Sequence, residues 1–118
     1  MNKRARGAEG ERLAAAFLEQ KGYIILARNY RFDRGEVDLV ASEGGDLVFV
    51  EVKARRSREF GAPEESITQA KEAQLKTVAE GYLFEHQIEN QACRFDVVSI
   101  TYEQGTPRMR LIQNVFVL

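Results

Sequence analysis

Hydrophobic and polar positions along this chain switch period several times, and each switch predicts an element. Residues 7–21 repeat at helical spacing, with Leu13, Ala14, Phe17 and Leu18 on one side, and Gly22 follows as a stop. Residues 23–32 read as a strand, Tyr-Ile-Ile-Leu with a more polar end, and Asp33-Arg34-Gly35 as a turn. Two alternating segments follow, 36–41 and 46–55, joined through Gly44-Gly45. A polar loop spans 56–62. Pro63, with Glu64 and Glu65 behind it, then predicts a helix from 63 to about 86. Residues 92–102 and 108–117 read as two last strands around the turn signal Gly105-Thr106-Pro107. The predicted order is α-β-β-β-α-β-β. The long helix between the third and fourth strands allows a parallel crossover, so the sheet should be mixed.

The central hairpin carries charges where apolar residues belong. If Gly44-Gly45 forms a two-residue turn, Glu43 lies opposite Asp46, Asp38 opposite Glu51, and Glu36 opposite Lys53. Side chains alternate along a strand, so all four of the last-named groups are expected on one sheet face. Opposed residues have Cβ atoms about 5 Å apart, and like charges there destabilise the pair. A divalent cation would offset the repulsion, and hard oxygen ligands suit Mg²⁺ or Mn²⁺. The bland alternative is a ribbon with a solvated charged face. Leu47 and Phe49 share the face with Glu51 and Lys53, and Val40 shares it with Asp38, which argues that the face is covered.

The spacing Asp38…Glu51-x-Lys53 resembles the PD-(D/E)xK phosphodiesterases. Over nearly its full length the chain is similar to the YraN-like family of small bacterial proteins. The matching segments are Gly10-Glu11, Gly22-Tyr23, Arg28-Asn29, Gly35-Glu36-Val37-Asp38, Phe49-Val50-Glu51-Val52-Lys53-Ala54-Arg55, Phe60-Gly61 and Arg94-Phe95-Asp96-Val97-Val98. Val37 stands where the superfamily often has proline. The resemblance implies a restriction-endonuclease-like fold, with a mixed central sheet flanked by helices, and kinship with archaeal Holliday junction resolvases. It also implies that Asp38, Glu51 and the backbone carbonyl of Val52 bind the metal, and that Glu11 of the first helix approaches it. The resolvase kinship makes a homodimer one arrangement to expect.

Within that frame Lys53 would orient the attacking water or stabilise the transition state. Glu36 has three readings: an ion pair with Lys53, a clamp on Lys53, or a further metal ligand. Glu11 is equally readable as a first-turn glutamate favoured by the helix dipole. Arg55, Arg56 and Arg58 follow the site directly and suit phosphate recognition. Two more basic clusters, Lys3/Arg4/Arg6/Arg12 and Arg28/Arg31/Arg34, are expected near the carboxylates. Lys71 is the odd member of the apolar stripe Ile67, Leu75, Val78, Tyr82. It would either snorkel to solvent or reach a phosphate. His86 reads as an exposed or dipole-bound helix-end residue, Cys93 as a packed thiol, and Asp96 as a structural acceptor.

Composition narrows the field. The 118 residues, 44% hydrophobic and 30% charged, suit a single domain spanning 1–118. No apolar run reaches the roughly 20 residues that cross a bilayer, and the basic start lacks the apolar stretch of a signal peptide, so a cytoplasmic protein without a membrane partner is expected. One cysteine excludes intramolecular disulfides, and one histidine with one cysteine leaves no Ser-His-Asp or Cys-His machinery. The expected function is therefore a Mg²⁺- or Mn²⁺-dependent endonuclease acting on nucleic acid, DNA ahead of RNA, including branched or damaged DNA. Two alternatives remain: a non-catalytic nucleic-acid binder with the nuclease fold, and an assembly factor recognising another protein. The net charge of −1 is low for a nucleic-acid coat and leans toward the last.

Overall fold

The structure is a computed structural model that describes residues 3–55 and 67–118, the side chains of residues 3–6 excepted. Its elements run α1 (Lys3–Gln20), β1 (Ile24–Phe32), β2 (Gly35–Glu43), β3 (Asp46–Arg55), α2 (Gln69–Glu85), β4 (Cys93–Glu103) and β5 (Thr106–Val117). The strands form one sheet in sequence order. Neighbours are antiparallel except β3 and β4, which run parallel because α2 carries the chain back between them. The predicted element order and the mixed sheet are both present.

Each boundary has a local cause. Helix α1 ends at Gly22, whose φ of 94° is the left-handed conformation a residue with Cβ resists. The Gly22 N–H donates to the Glu19 carbonyl (3.1 Å) and the Tyr23 N–H to the Leu18 carbonyl (3.0 Å), closing a Schellman motif. The β2–β3 hairpin turns on Gly44 (φ 59°) and Gly45 (φ 88°), a type I′ turn that sets Glu43 opposite Asp46. The β4–β5 hairpin turns in the same way on Gln104 (φ 52°) and Gly105 (φ 81°). Thr106 and Pro107 are therefore the first residues of β5, not part of the turn; Pro107 is tolerated because β5 is an edge strand.

Helix α2 begins later than Pro63 predicted. Thr68 is its N-cap, in extended conformation, with its Oγ1 accepting from the Lys71 N–H at 3.1 Å. Pro63, Glu64 and Glu65 lie outside the described residues. The hydroxyl cap, rather than the proline, supplies the start.

The sheet separates two cores. On one face α1 packs Ala14, Ala15 and Leu18 against Leu39, Ala41, Val48, Val50, Val98 and Ile100. On the other α2 packs Leu75, Val78, Ala79 and Tyr82 against Val37, Val40, Leu47, Phe49 and Phe95. Helix α2 sits close because two positions lack side chains. A Cβ on Gly35 would lie 2.5 Å from Val78 Cγ2, and one on Gly81 would lie 2.2 Å from the Phe32 ring.

Candidate functional site

The β2–β3 register puts Leu39 opposite Val50 and Val40 opposite Phe49, as the Gly-Gly turn requires. The ladder ends there. Val37 and Val40 both belong to the α2-side core although they are three residues apart, whereas Leu39 and Ala41 face α1. Alternation therefore breaks at Asp38. Next door on β1, Asn29 has φ 51°, and the β1–β2 pairing passes from Arg28↔Leu39 to Tyr30↔Val37 around it. Around this left-handed residue both strands reverse their facing with the pairing register kept; the register shift of this strand pair lies between Ile25 and Ala27.

The break aims Asp38 between the strands. Its Oδ2 accepts the Val52 N–H at 2.7 Å, a carboxylate in the place a backbone carbonyl would fill. Asp38 is also hydrogen-bonded to Glu51, acid against acid beyond the end of the ladder. Burial, then that hydrogen bond, then the charge of Glu51 push the Asp38 carboxyl up to about 8; the Val52 N–H pulls the other way. Glu51 is only 6% exposed. Its Oε2 lies 3.0 Å from Lys71 Nζ, on the face covered by α2.

Other predicted site residues are distributed unevenly around this pair. Lys53 is half-buried two residues beyond Glu51, hence on the same face, and makes no ion pair among the described residues. Gly10 of α1 packs against Val52, Ala54 and Ile100, which brings Glu11 to this end of the sheet. Glu11 acts on Asp38 only through the field of its charge. Arg55, half-buried, closes β3 opposite Thr101. Arg56 and Arg58 lie outside the described residues, as do the side chains of Lys3, Arg4 and Arg6.

Two expectations need correction. Glu36 does not face Lys53. Its neighbours Gly35 and Val37 point to α2, so Glu36 points away from the face that holds Glu51. It meets Arg31 of β1, Nε to Oε2, at 3.7 Å instead. The broken alternation is the cause. Nor does Lys71 snorkel to solvent. Its ammonium is held by Glu51 and by Gln74 Oε1 at 3.2 Å. This contact was not legible, because a helix expected to start at Pro63 puts Lys71 in its interior, and only the Thr68 start makes it a first-turn lysine whose charge opposes the dipole and calls for an anion.

Asp96 is the acceptor hub of a second charged cluster, on the α1 face. Its oxygens accept from Tyr23 Oη (2.7 Å), Arg94 Nε (3.0 Å), Arg94 Nη2 (3.1 Å) and the Asn114 N–H (3.1 Å). Arg94 continues to Glu43 (2.8 Å) and Asp46 (3.0 Å). His86 caps α2 and stacks on Tyr82, with ring centroids 4.0 Å apart. Cys93 is half-buried, and burial raises its thiol pKa.

Asp38, Glu51 and the Val52 carbonyl form an all-oxygen donor set. Among the described residues no third His, Cys, Asp or Glu side chain closes a ready-made cage. The set fits Mg²⁺ or Mn²⁺, ions that keep water and substrate oxygens in their remaining positions. Two acids in contact, one of them buried, are the observation that favours a cation there. No helix among the described residues is long and apolar enough to cross a membrane.

A profile of the Uncharacterised protein family UPF0102 matches residues 10–100. A UPF0102 protein of Symbiobacterium thermophilum is 51% identical over 111 residues, covering 93% of this chain and 94% of that protein. One from Caldicellulosiruptor saccharolyticus is 47% identical over 118 residues, covering 98% of this chain and all of its own (100%). One from Dehalococcoides mccartyi is 42% identical over 113 residues, covering 96% and 93%.

Proposed function

Because the chain belongs to the UPF0102 family, the YraN-like family its motifs resemble, we propose that it is a Mg²⁺- or Mn²⁺-dependent endonuclease that hydrolyses phosphodiester bonds in DNA, branched or damaged forms included. The observation that carries this reading is the contact between Asp38 and the buried Glu51, two acids brought together where β2 and β3 part. A fold seeking only stability gains nothing from that juxtaposition.

Asp38, Glu51 and the Val52 carbonyl would hold the ion. Bound there, the ion would polarise a phosphate oxygen and acidify a water. Asp38 holds the Val52 N–H and so anchors β3 at that residue. Lys53, on the Glu51 face, would orient that water or meet the charge that develops on phosphorus oxygens. Arg55, with Arg56 and Arg58, would grip the backbone of the nucleic acid. Glu11 adds negative charge at the cation site without touching it.

A second reading has one observation in its favour. Lys71 already neutralises Glu51, so the site can stand without metal, as a binding module of the same fold would require. Incubation of the pure protein with single-stranded, duplex, flap and four-way DNA, with Mg²⁺ or Mn²⁺, separates the two. The nuclease reading expects cleavage that Lys53→Ala loses while metal and DNA binding persist, since a contact made only in the transition state changes turnover and not affinity. Lys53→Arg should be a poor substitute in an enzyme and a good one in a phosphate binder. A parent inactive on every form, whose DNA affinity Lys53→Ala lowers, leaves the binding module.

A further inference from the structure

Lys71 stands against its local preference. It is the third residue of α2 after the Thr68 cap, where unpaired amides point outward and the helix end is positive. Glutamate or glutamine, not lysine, suits that position. The side chain is nevertheless held firmly. Nζ lies 3.0 Å from Glu51 Oε2 and 3.2 Å from Gln74 Oε1. The Gln74 side chain in turn lies over Gly35, where a Cβ would come within 2.9 Å of Gln74 Cγ. Gly35, Gln74, Lys71 and Glu51 thus form a continuous chain of contacts from β2, over α2, to β3. The Lys71 side chain is 30% exposed and that of Glu51 7%, so the ammonium is the group at the mouth and the carboxylate the group behind it.

We propose that Lys71 is a resident counter-cation of the acidic pair, which occupies Glu51 in the metal-free protein and releases it when a divalent ion binds. The inference rests on the metal reading above. An ammonium and a hard dication compete for the same carboxylate, and Glu51 is too buried to be left without one of them. Gln74 supplies the acceptor that keeps the displaced ammonium on α2. In a state where Lys71 covers Glu51 most of the time, the apparent metal affinity falls by the fraction of time the carboxylate is free.

Lys71→Met keeps the stem and removes the charge. Calorimetric titration with Mn²⁺ should show the variant binding more tightly than the parent, by about tenfold for a pair formed roughly nine-tenths of the time. A Mg²⁺ titration of the parent, followed on the Lys71 ε-methylene resonances, should shift them in step with binding; Lys71→Arg, a gentler change, serves to assign those signals if Lys71→Met does not fold. Equal or weaker Mn²⁺ binding in Lys71→Met, or Lys71 resonances that stay fixed while the parent binds Mg²⁺, overturns the counter-cation role and leaves the metal site standing. Absence of binding in parent and variant alike overturns both.

Discussion

Two clusters of buried charge lie on opposite faces of one sheet, and they are built on opposite terms. Around Asp96 every demand is met: two carboxylate oxygens receive four donors, and Arg94 spreads its charge over Asp96, Glu43 and Asp46. The neighbours agree on protonation. Hydrogen bonds to Asp96 and Glu43 raise the Arg94 pKa against the effect of burial, and burial with the Asp96 bond pushes the Tyr23 hydroxyl up to about 12. Around Asp38 the terms conflict. Two acids meet, one lysine serves them, and the strand ladder ends beside them. The first cluster looks like a fastener between the β2–β3 hairpin, β4 and the start of β1. The second keeps an unfavourable charge arrangement that a ligand could relieve.

Removing the hub should break the fastener with the largest effect of all. Asp96→Ala leaves a buried arginine with fewer partners and should cost about 3 kcal/mol in urea unfolding. Packing alone comes next. Gly81→Ala would gain up to about 1 kcal/mol of helix propensity but push a methyl into the Phe32 ring, so a net loss of about 2 kcal/mol is expected.

Asp38→Asn should act in the opposite sense, and its effect should depend on pH. The Asp38 carboxyl ordinarily ionises near 3.8 and in the fold near 8. Between those values the folded chain keeps a proton that the unfolded chain has lost, so stability of the metal-free protein falls as pH rises from about 4 to about 8. The asparagine variant removes this slope. It should match the parent near pH 4 and exceed it near pH 8 in denaturant midpoints collected without metal. A parent midpoint that does not fall across that range contradicts the raised Asp38 pKa. Smallest of all, Glu36→Ala should change stability by no more than about 0.5 kcal/mol, because its partner Arg31 is 77% exposed, and should leave Mn²⁺ affinity untouched. A marked loss of affinity would return Glu36 to the site.

The contrast also marks what could be seen in the sequence. Gly44-Gly45 determines the hairpin register by turn geometry alone, so the pairing from Glu43–Asp46 to Leu39–Val50 was legible, as were the Gly22 stop and the parallel crossover. The reversal of facing at Asp38 was not, because it turns on Asn29 adopting a positive φ without a glycine to announce it. That one residue moved Glu36 off the expected face. The helix start at Thr68 was missed, since Lys71 three residues on lacks the acidic half of a capping box. The Lys71–Glu51 contact joins two elements, α2 and β3, that no local pattern relates. Tyr23 meets Asp96 across 73 residues of chain, a separation no local pattern encodes.

The central claim is that the acids at Asp38 and Glu51 are held together to take a divalent ion. Calorimetric titration with Mn²⁺ of the parent, Asp38→Asn and Asp96→Asn tests it directly, under conditions where all three are folded. The account predicts binding by the parent, no binding by Asp38→Asn, and parent-like binding by Asp96→Asn. Equal affinity in the parent and Asp38→Asn would contradict it.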